Sequence, residues 1–234
     1  MSLTCVSCYF PVTNKHGSNY FEWFKNTLSI NCPYIFYTNK ENVEFIQKFR
    51  QDLPTHYIIC EIKDFYTFKY KDKMIIHPFH CPSVELNLIW NEKIFMMNNA
   101  SNSNPFNSEW FQWIDSGICI YRNVKPPNSL FPNMNKLKDI PKNKFIYSSS
   151  NPFIKNMVSI KNYYHHIAGT SYLMHKDIIN SFANIYAYYL DKLVEADKNN
   201  IWTDQVILTH IYNDNPNIFH KLCDGYGNVT AFLY

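Results

Sequence analysis

Glycine is scarce, at five of 234 residues, and none forms a G-x-G-x-x-G turn behind the first apolar segment. A dinucleotide-binding fingerprint is therefore excluded. Arginine is scarcer still, at Arg50 and Arg122 only, and the lysines are scattered. With a formal net charge of +3 and no basic block, the chain lacks the footprint of a nucleic-acid binder. No apolar run approaches the about 20 residues of a membrane span. Met1 to Val12 lacks the basic start and long apolar core of an export signal. These absences predict a cytoplasmic protein without a transmembrane segment. The seven cysteines are an odd number and lie far apart, so reduced thiols packed as small hydrophobes are expected. Cys5-x-x-Cys8 has no second pair to complete a zinc site. No G-x-S-x-G elbow surrounds Ser116, which excludes that nucleophile motif. His77, His80 and Cys81 have metal-ligand chemistry but no partner pair.

What the chain has is apolar bulk: 46% hydrophobic and 18% aromatic residues. That is enough for one large core, and no linker or repeat divides residues 1–234. Leu3 to Val12 reads as a strand. Ser18 is placed to cap a helix from Tyr20 to Leu28, and Pro33 stops any continuation. Tyr34 to Tyr37 is a second strand, Glu41 to Arg50 a second helix, and His56 to Ile62 a third strand. This β-α-β-α-β order predicts a parallel α/β sheet. An irregular aromatic stretch follows. A helix from Val84 to about Asn98 then carries Glu85, Glu92 and Lys93 as polar exceptions to an apolar stripe.

The central feature is Trp110-Phe111-Gln112-Trp113-Ile114-Asp115-Ser116-Gly117. A run that apolar reads as a strand buried on both faces. It delivers one carboxylate to its carboxyl end, the edge where open α/β sheets bind ligands. Lys144 to Ser150 predicts another strand. Tyr163 to Met174 reads as a polar-aromatic approach, a small-residue turn at Gly169-Thr170, and a short strand. A long helix follows to Val194. Thr203 is placed to cap a helix with Asp204 and Gln205 in its first turn. Ile218 to Cys223 predicts a late strand before an apolar tail.

Taken in order, several of these blocks resemble the HtrL/YibB family. They are Val6–Phe10, Tyr34–Thr38, Leu86–Lys93, Asn104-Pro105-Phe106 through Gly117, His166–Thr170, and Asp204-Gln205. Proteins of that family look like GT-A-type glycosyltransferases, several lying near surface-polysaccharide genes. The resemblance implies a mixed, mainly parallel sheet between helices. It implies transfer of a sugar from a nucleotide-diphosphate donor to a glycan or other hydroxyl acceptor. A GT-A-derived scaffold that binds nucleotide or carbohydrate without turnover is the alternative.

Carried over residue by residue, Asp115 matches the first position of the D-x-D motif, and Gly117 stands where the second carboxylate belongs. The resemblance places Tyr9, Thr38, Lys93, Asp115, Gly117, Gly169 and Gln205 at the donor. Lys93 would reach its phosphates. Asp204 and His166 would face the reacting sugar or acceptor, with His165 set aside as the lesser of the pair. A divalent cation, Mn²⁺ or Mg²⁺, would stabilise the departing diphosphate. Asp115 and His220 are its implied ligands. With the second D-x-D carboxylate missing, either other groups hold the metal or none is used.

Overall fold

The computed structural model describes residues 2–17, 19–159, 163–196 and 203–234. Ser18, the expected first cap, lies outside the described residues. The described residues form a seven-stranded sheet in the order β3-β2-β1-β4-β6-β5-β7. The three strands at its heart are β1 (Leu3–Tyr9), β2 (Tyr34–Thr38) and β4 (Trp110–Ile114), buried along their whole length. Continuous apolar sequence suits them because both faces of a central parallel strand are covered. β1 pairs in parallel with β2 on one side and β4 on the other, and β3 (Thr55–Ile59) extends the sheet beyond β2. The chain thus winds outward from β1 and then returns to its opposite side. The crevice at such a reversal is where doubly wound sheets bind ligands.

β6 (Ile167–His175) runs antiparallel between β4 and β5 (Phe145–Ser149), and β7 (Phe219–Asp224) is parallel to β5. The turn expected at Gly169-Thr170 is absent. The ladder pairs Ile114 with Ser171, and the Asp115 N–H donates to the Thr170 carbonyl at 2.9 Å. Backbone pairing with β4 therefore overrides the turn preference of small residues. The register also brings the start of β6 beside the end of β4.

Helices cover both faces: α1 (Asn19–Leu28), α2 (Val43–Arg50), α3 (Val84–Ser103), α4 (Met134–Lys138), α5 (Lys176–Ala196), α6 (Asp204–Asp214) and α7 (Asn228–Leu233). α3 starts at Ser83, whose hydroxyl accepts from the Leu86 N–H. It runs past the expected end at Asn98 and stops at Asn104, which adopts a left-handed conformation with φ 36°. Asn tolerates that region better than most residues. The expected apolar tail is α7. Alternation along β4 divides its side chains between two cores. Phe111 and Trp113 face the core built on α3, α5 and α6, while Trp110 and Ile114 face the core on the α1 and α7 side. Asp115, next in the alternation, returns to the α3 and α6 side.

Arg50 anchors the α2 side. It is 1% exposed. Its guanidinium donates to the carbonyls of Leu28, Ile30, Cys32 and Pro54 and to the Thr55 hydroxyl. It also lies 4.3 Å from the Tyr34 ring centroid. Arg50→Met would strand those carbonyls away from water. A loss of about 3–5 kcal/mol is expected, readable as a shift in the urea midpoint with an unchanged m-value.

Candidate active site

Three segments distant in sequence meet at the carboxyl end of β4. Asp115 closes that strand. Lys93 comes from the middle of α3, and Asp204 from the first turn of α6. The Lys93 ammonium stands 3.0 Å from Asp115 Oδ1 and 3.3 Å from Asp204 Oδ2. It also donates to the Gly169 carbonyl at 3.0 Å. The side chains of Lys93 and Asp204 are 4% and 3% exposed, and that of Asp115 is 26% exposed.

Each position is set by local structure. Asp115 is oriented by the indole of Trp113, whose Nε1–H donates to Asp115 Oδ1 at 2.7 Å. Asp204 is the first residue of α6. The hydroxyl of its cap, Thr203, accepts from the Gln205 N–H at 3.3 Å and donates to Asp204 Oδ1 at 3.1 Å. A carboxylate in a first helical turn also gains from the helix dipole. Gly169 lets α6 close onto β6. A Cβ there would meet Asp204 Oδ2 and Gln205 Cγ, each at 2.8 Å. Gly169→Ala is therefore expected to push Asp204 off Lys93. A cost of about 1–3 kcal/mol should appear as a lowered melting temperature, with any activity falling alongside it.

Burial opposes the charge on Lys93, but Asp115 and Asp204 outweigh it and hold its pKa above the ordinary lysine value. Burial is also the largest influence on Asp204. It pushes that carboxyl up to about 6, with Asp115 adding to the rise and Lys93 opposing it. A carboxyl placed there titrates in the range useful for proton transfer near neutral pH. Among the described residues Asp204 Oδ2 has the Lys93 ion pair but no aligned hydrogen bond, and the Thr170 hydroxyl has no hydrogen-bond partner.

These groups form the floor of a cleft with two lobes. The first lobe is lined by Tyr9, Phe10, Tyr20, Phe21, Trp90 and Gly117, and has an empty volume of ≈ 1120 Å³. The second is lined by Gly169, Asp204, Gln205, His165, Tyr163 and Tyr226, with ≈ 1080 Å³. Lys93, Asp115 and Thr170 border both. The first lobe is mainly aromatic and apolar. The second presents most of the polar side chains.

Residues 58–229 match the family described as a bacterial protein of unknown function, HtrL_YibB. The chain belongs to the HtrL_YibB family. No curated protein matches it. Among solved structures it is similar to apo mouse xyloside xylosyltransferase 1, at 13% identity and a TM-score of 0.56, over 94% of this chain and 84% of that one. It is also similar to the glycosyltransferase GlyE of Streptococcus pneumoniae TIGR4, at 13% identity and TM-score 0.46, over 94% of this chain and 45% of that one. A third is 4-diphosphocytidyl-2C-methyl-D-erythritol synthase from Anaerococcus prevotii DSM 20548, at 13% identity and TM-score 0.47, over 98% and 89%. The HtrL_YibB chain thus shares a mixed α/β fold with the mouse xylosyltransferase, and the sheet of its described residues is mostly parallel.

In this HtrL_YibB protein the cleft gathers Tyr9, Lys93, Asp115, Gly117, Gly169, Asp204 and Gln205 from the sequence-derived set. Tyr9 stacks on Phe24 at 4.7 Å. Gly117 gives room to Tyr20, whose hydroxyl hydrogen-bonds Ser116 at 2.5 Å. Gln205 Nε2 donates to the Ile167 carbonyl and ties α6 to β6.

Three of the expected residues are not brought to the cleft. Thr38 is buried, and its hydroxyl donates to the Tyr9 carbonyl at 2.7 Å. His166 is turned into the core, with Nε2 on the Tyr147 hydroxyl at 2.9 Å and Nδ1 on the Asn151 carbonyl at 2.6 Å. Its neighbour His165 lines the second lobe instead, with Nε2 2.6 Å from the Tyr226 hydroxyl. Adjacent residues entering a strand face opposite sides, and the pleat chose the other one. His220 lies exposed on β7, opposite Ile146 and far across the sheet from β4. Asp115 and His220 thus do not form a metal site. Among the described residues no group of three or more His, Cys, Asp or Glu is placed to hold a metal ion. Nor is any helix among them long and apolar enough to cross a membrane. Lys15, His16, Trp90 and Arg122 also border the cleft. Apart from the rarity of arginine, no motif marked them as site residues.

Proposed function

We propose that the chain is a glycosyltransferase, moving a sugar from a nucleotide-diphosphate donor to a hydroxyl acceptor. The observation that carries this reading is the buried Lys93 ammonium set between Asp115 and Asp204 at the cleft floor, in a fold similar to that of a xylosyltransferase. Asp204 Oδ2 has the Lys93 ammonium at 3.3 Å but no aligned hydrogen bond among the described residues, which leaves a lone pair for a substrate hydroxyl to donate to. The first lobe suits the nucleoside, whose base can stack on Tyr9, Tyr20 or Trp90. Asp115 meets the donor where the lobes join. The second lobe takes the transferred sugar and a glycan hydroxyl, with His165 and Tyr226 at its rim. Lys93 acts through the carboxylates, holding both in place by charge.

Asp204 is the group for proton removal from the acceptor. Only its ionised form can act, so activity should rise with pH through about 6. A plot of log kcat/KM against pH is expected to show an acid limb of unit slope there. Asp204→Asn should remove that limb and slow turnover by about 10²–10⁴-fold. The reading as a whole is tested by incubating the protein with UDP-, GDP- and CDP-sugars and a panel of glycan acceptors. Release of the matching nucleoside diphosphate supports it. Binding of a nucleotide sugar without release under any acceptor supports a non-catalytic binding protein instead.

A further inference from the structure

The residues at the cleft do not fit the divalent cation implied by the D-x-D resemblance. Gly117 offers no carboxylate. Asp115 Oδ1 already accepts from the Trp113 indole and lies 3.0 Å from the Lys93 ammonium. The same ammonium lies 3.3 Å from Asp204 Oδ2. It thus occupies the space between the two carboxylates that a shared ion would need. Mg²⁺ and Mn²⁺ favour several oxygen ligands in near-octahedral arrangement, and a fixed ammonium in their midst repels them.

What the cleft offers above this floor is positive charge. Lys15 and Arg122 border both lobes. Partial loss of water around the Lys15 ammonium lowers its pKa, and the Arg122 guanidinium lowers it further. His16 beside them is pushed down to about 4, by burial and then by the same two cations. Among the described residues, neither Lys15 nor Arg122 forms an ion pair with a carboxylate. Arg122 is held 4.1 Å from the Trp23 ring centroid, and its buried Nε–H has no acceptor among the described residues. Two neighbouring cations without a carboxylate partner, together with an unpaired guanidinium N–H, have the chemistry that binds an anion.

We propose that Lys15 and Arg122 form a diphosphate subsite, so that the chain takes its donor without a divalent cation. The departing diphosphate would then be stabilised by fixed side-chain charges. This deepens the glycosyltransferase reading and rests on it for the identity of the donor.

The test is isothermal titration with inorganic pyrophosphate and with UDP, GDP and CDP, each in EDTA and in Mn²⁺. Pyrophosphate and at least one nucleoside diphosphate are expected to bind in EDTA, no more than about twofold weaker than in Mn²⁺. Arg122→Met and Lys15→Met should each weaken that binding by at least about tenfold, the loss of a charge-assisted contact to phosphate. Lys15 is exposed, so its variant keeps the fold even if Arg122→Met does not. Binding that requires Mn²⁺, or that survives Lys15→Met unchanged, would overturn the subsite and leave the glycosyltransferase reading standing. Pyrophosphate binding in EDTA that Lys15→Met abolishes, with no nucleoside diphosphate bound under either condition, would keep the subsite and sink the glycosyltransferase reading.

Discussion

Lys93→Met is expected to cost about 3–5 kcal/mol of stability and to eliminate turnover. The substitution keeps the length and packing of the side chain but removes the one cation between two carboxylates. Asp204 is buried and Asp115 is largely so. Breaking a buried pair from one side leaves charge uncompensated, and the penalty is several times that of losing a surface pair. Chemical denaturation gives the loss directly. The double variant Lys93→Met/Asp204→Asn separates charge from packing. If repulsion between the carboxylates is the cause, the second change recovers stability, with a coupling of about 0.5–3 kcal/mol. If lost packing is the cause, the two losses add.

The second large effect belongs to Asp115. Asp115→Asn should leave the melting temperature within a few degrees of the parent and reduce turnover by about 10²–10³-fold. The fold survives because an amide oxygen still accepts from the Trp113 Nε1–H and from Lys93. The backbone bond from residue 115 to the Thr170 carbonyl is also unaffected. What disappears is the negative charge on the exposed side of the pair, where the donor is to sit. Steady-state kinetics on nucleoside diphosphate release measure the effect, and full activity in this variant would remove Asp115 from the site.

The two variants differ in a way that bears on how the site is encoded. Asp115 was legible because the chain announces it locally. A strand buried on both faces needs an unbroken apolar run, and a carboxylate at its end can only emerge at the sheet edge. Asp204 was placed at the site only by the family resemblance, since the Thr203 cap marks a helix start and nothing more. Lys93 was visible as a break in an apolar stripe, but its pairing was not. That pairing depends on α3 crossing the end of β4 while α6 packs on Gly169, which is a tertiary fact. The Gly169-Thr170 stretch shows the opposite failure. Its small residues suggested a turn, and strand pairing with β4 decided otherwise. His165 and His166 differ only in which side of the chain faces the cleft, and nothing in either residue fixes the pleat. Lys15 and Arg122 lie in irregular segments without periodicity. Only the folded chain shows that they share one mouth.

The cleft at the carboxyl ends of β1 and β4 is proposed as the donor site. A crystal structure of the protein soaked with the nucleotide sugar that most raises its melting temperature tests this most directly. At about 100 times Kd such a ligand stabilises by about 2.7 kcal/mol, so the choice of ligand is unambiguous. The base should lie against Tyr9 and Trp90, the diphosphate beside Lys15 and Arg122, and the sugar over Gly169 within hydrogen-bond reach of Asp204. Density for the ligand anywhere else on the molecule, with this cleft empty, would contradict it.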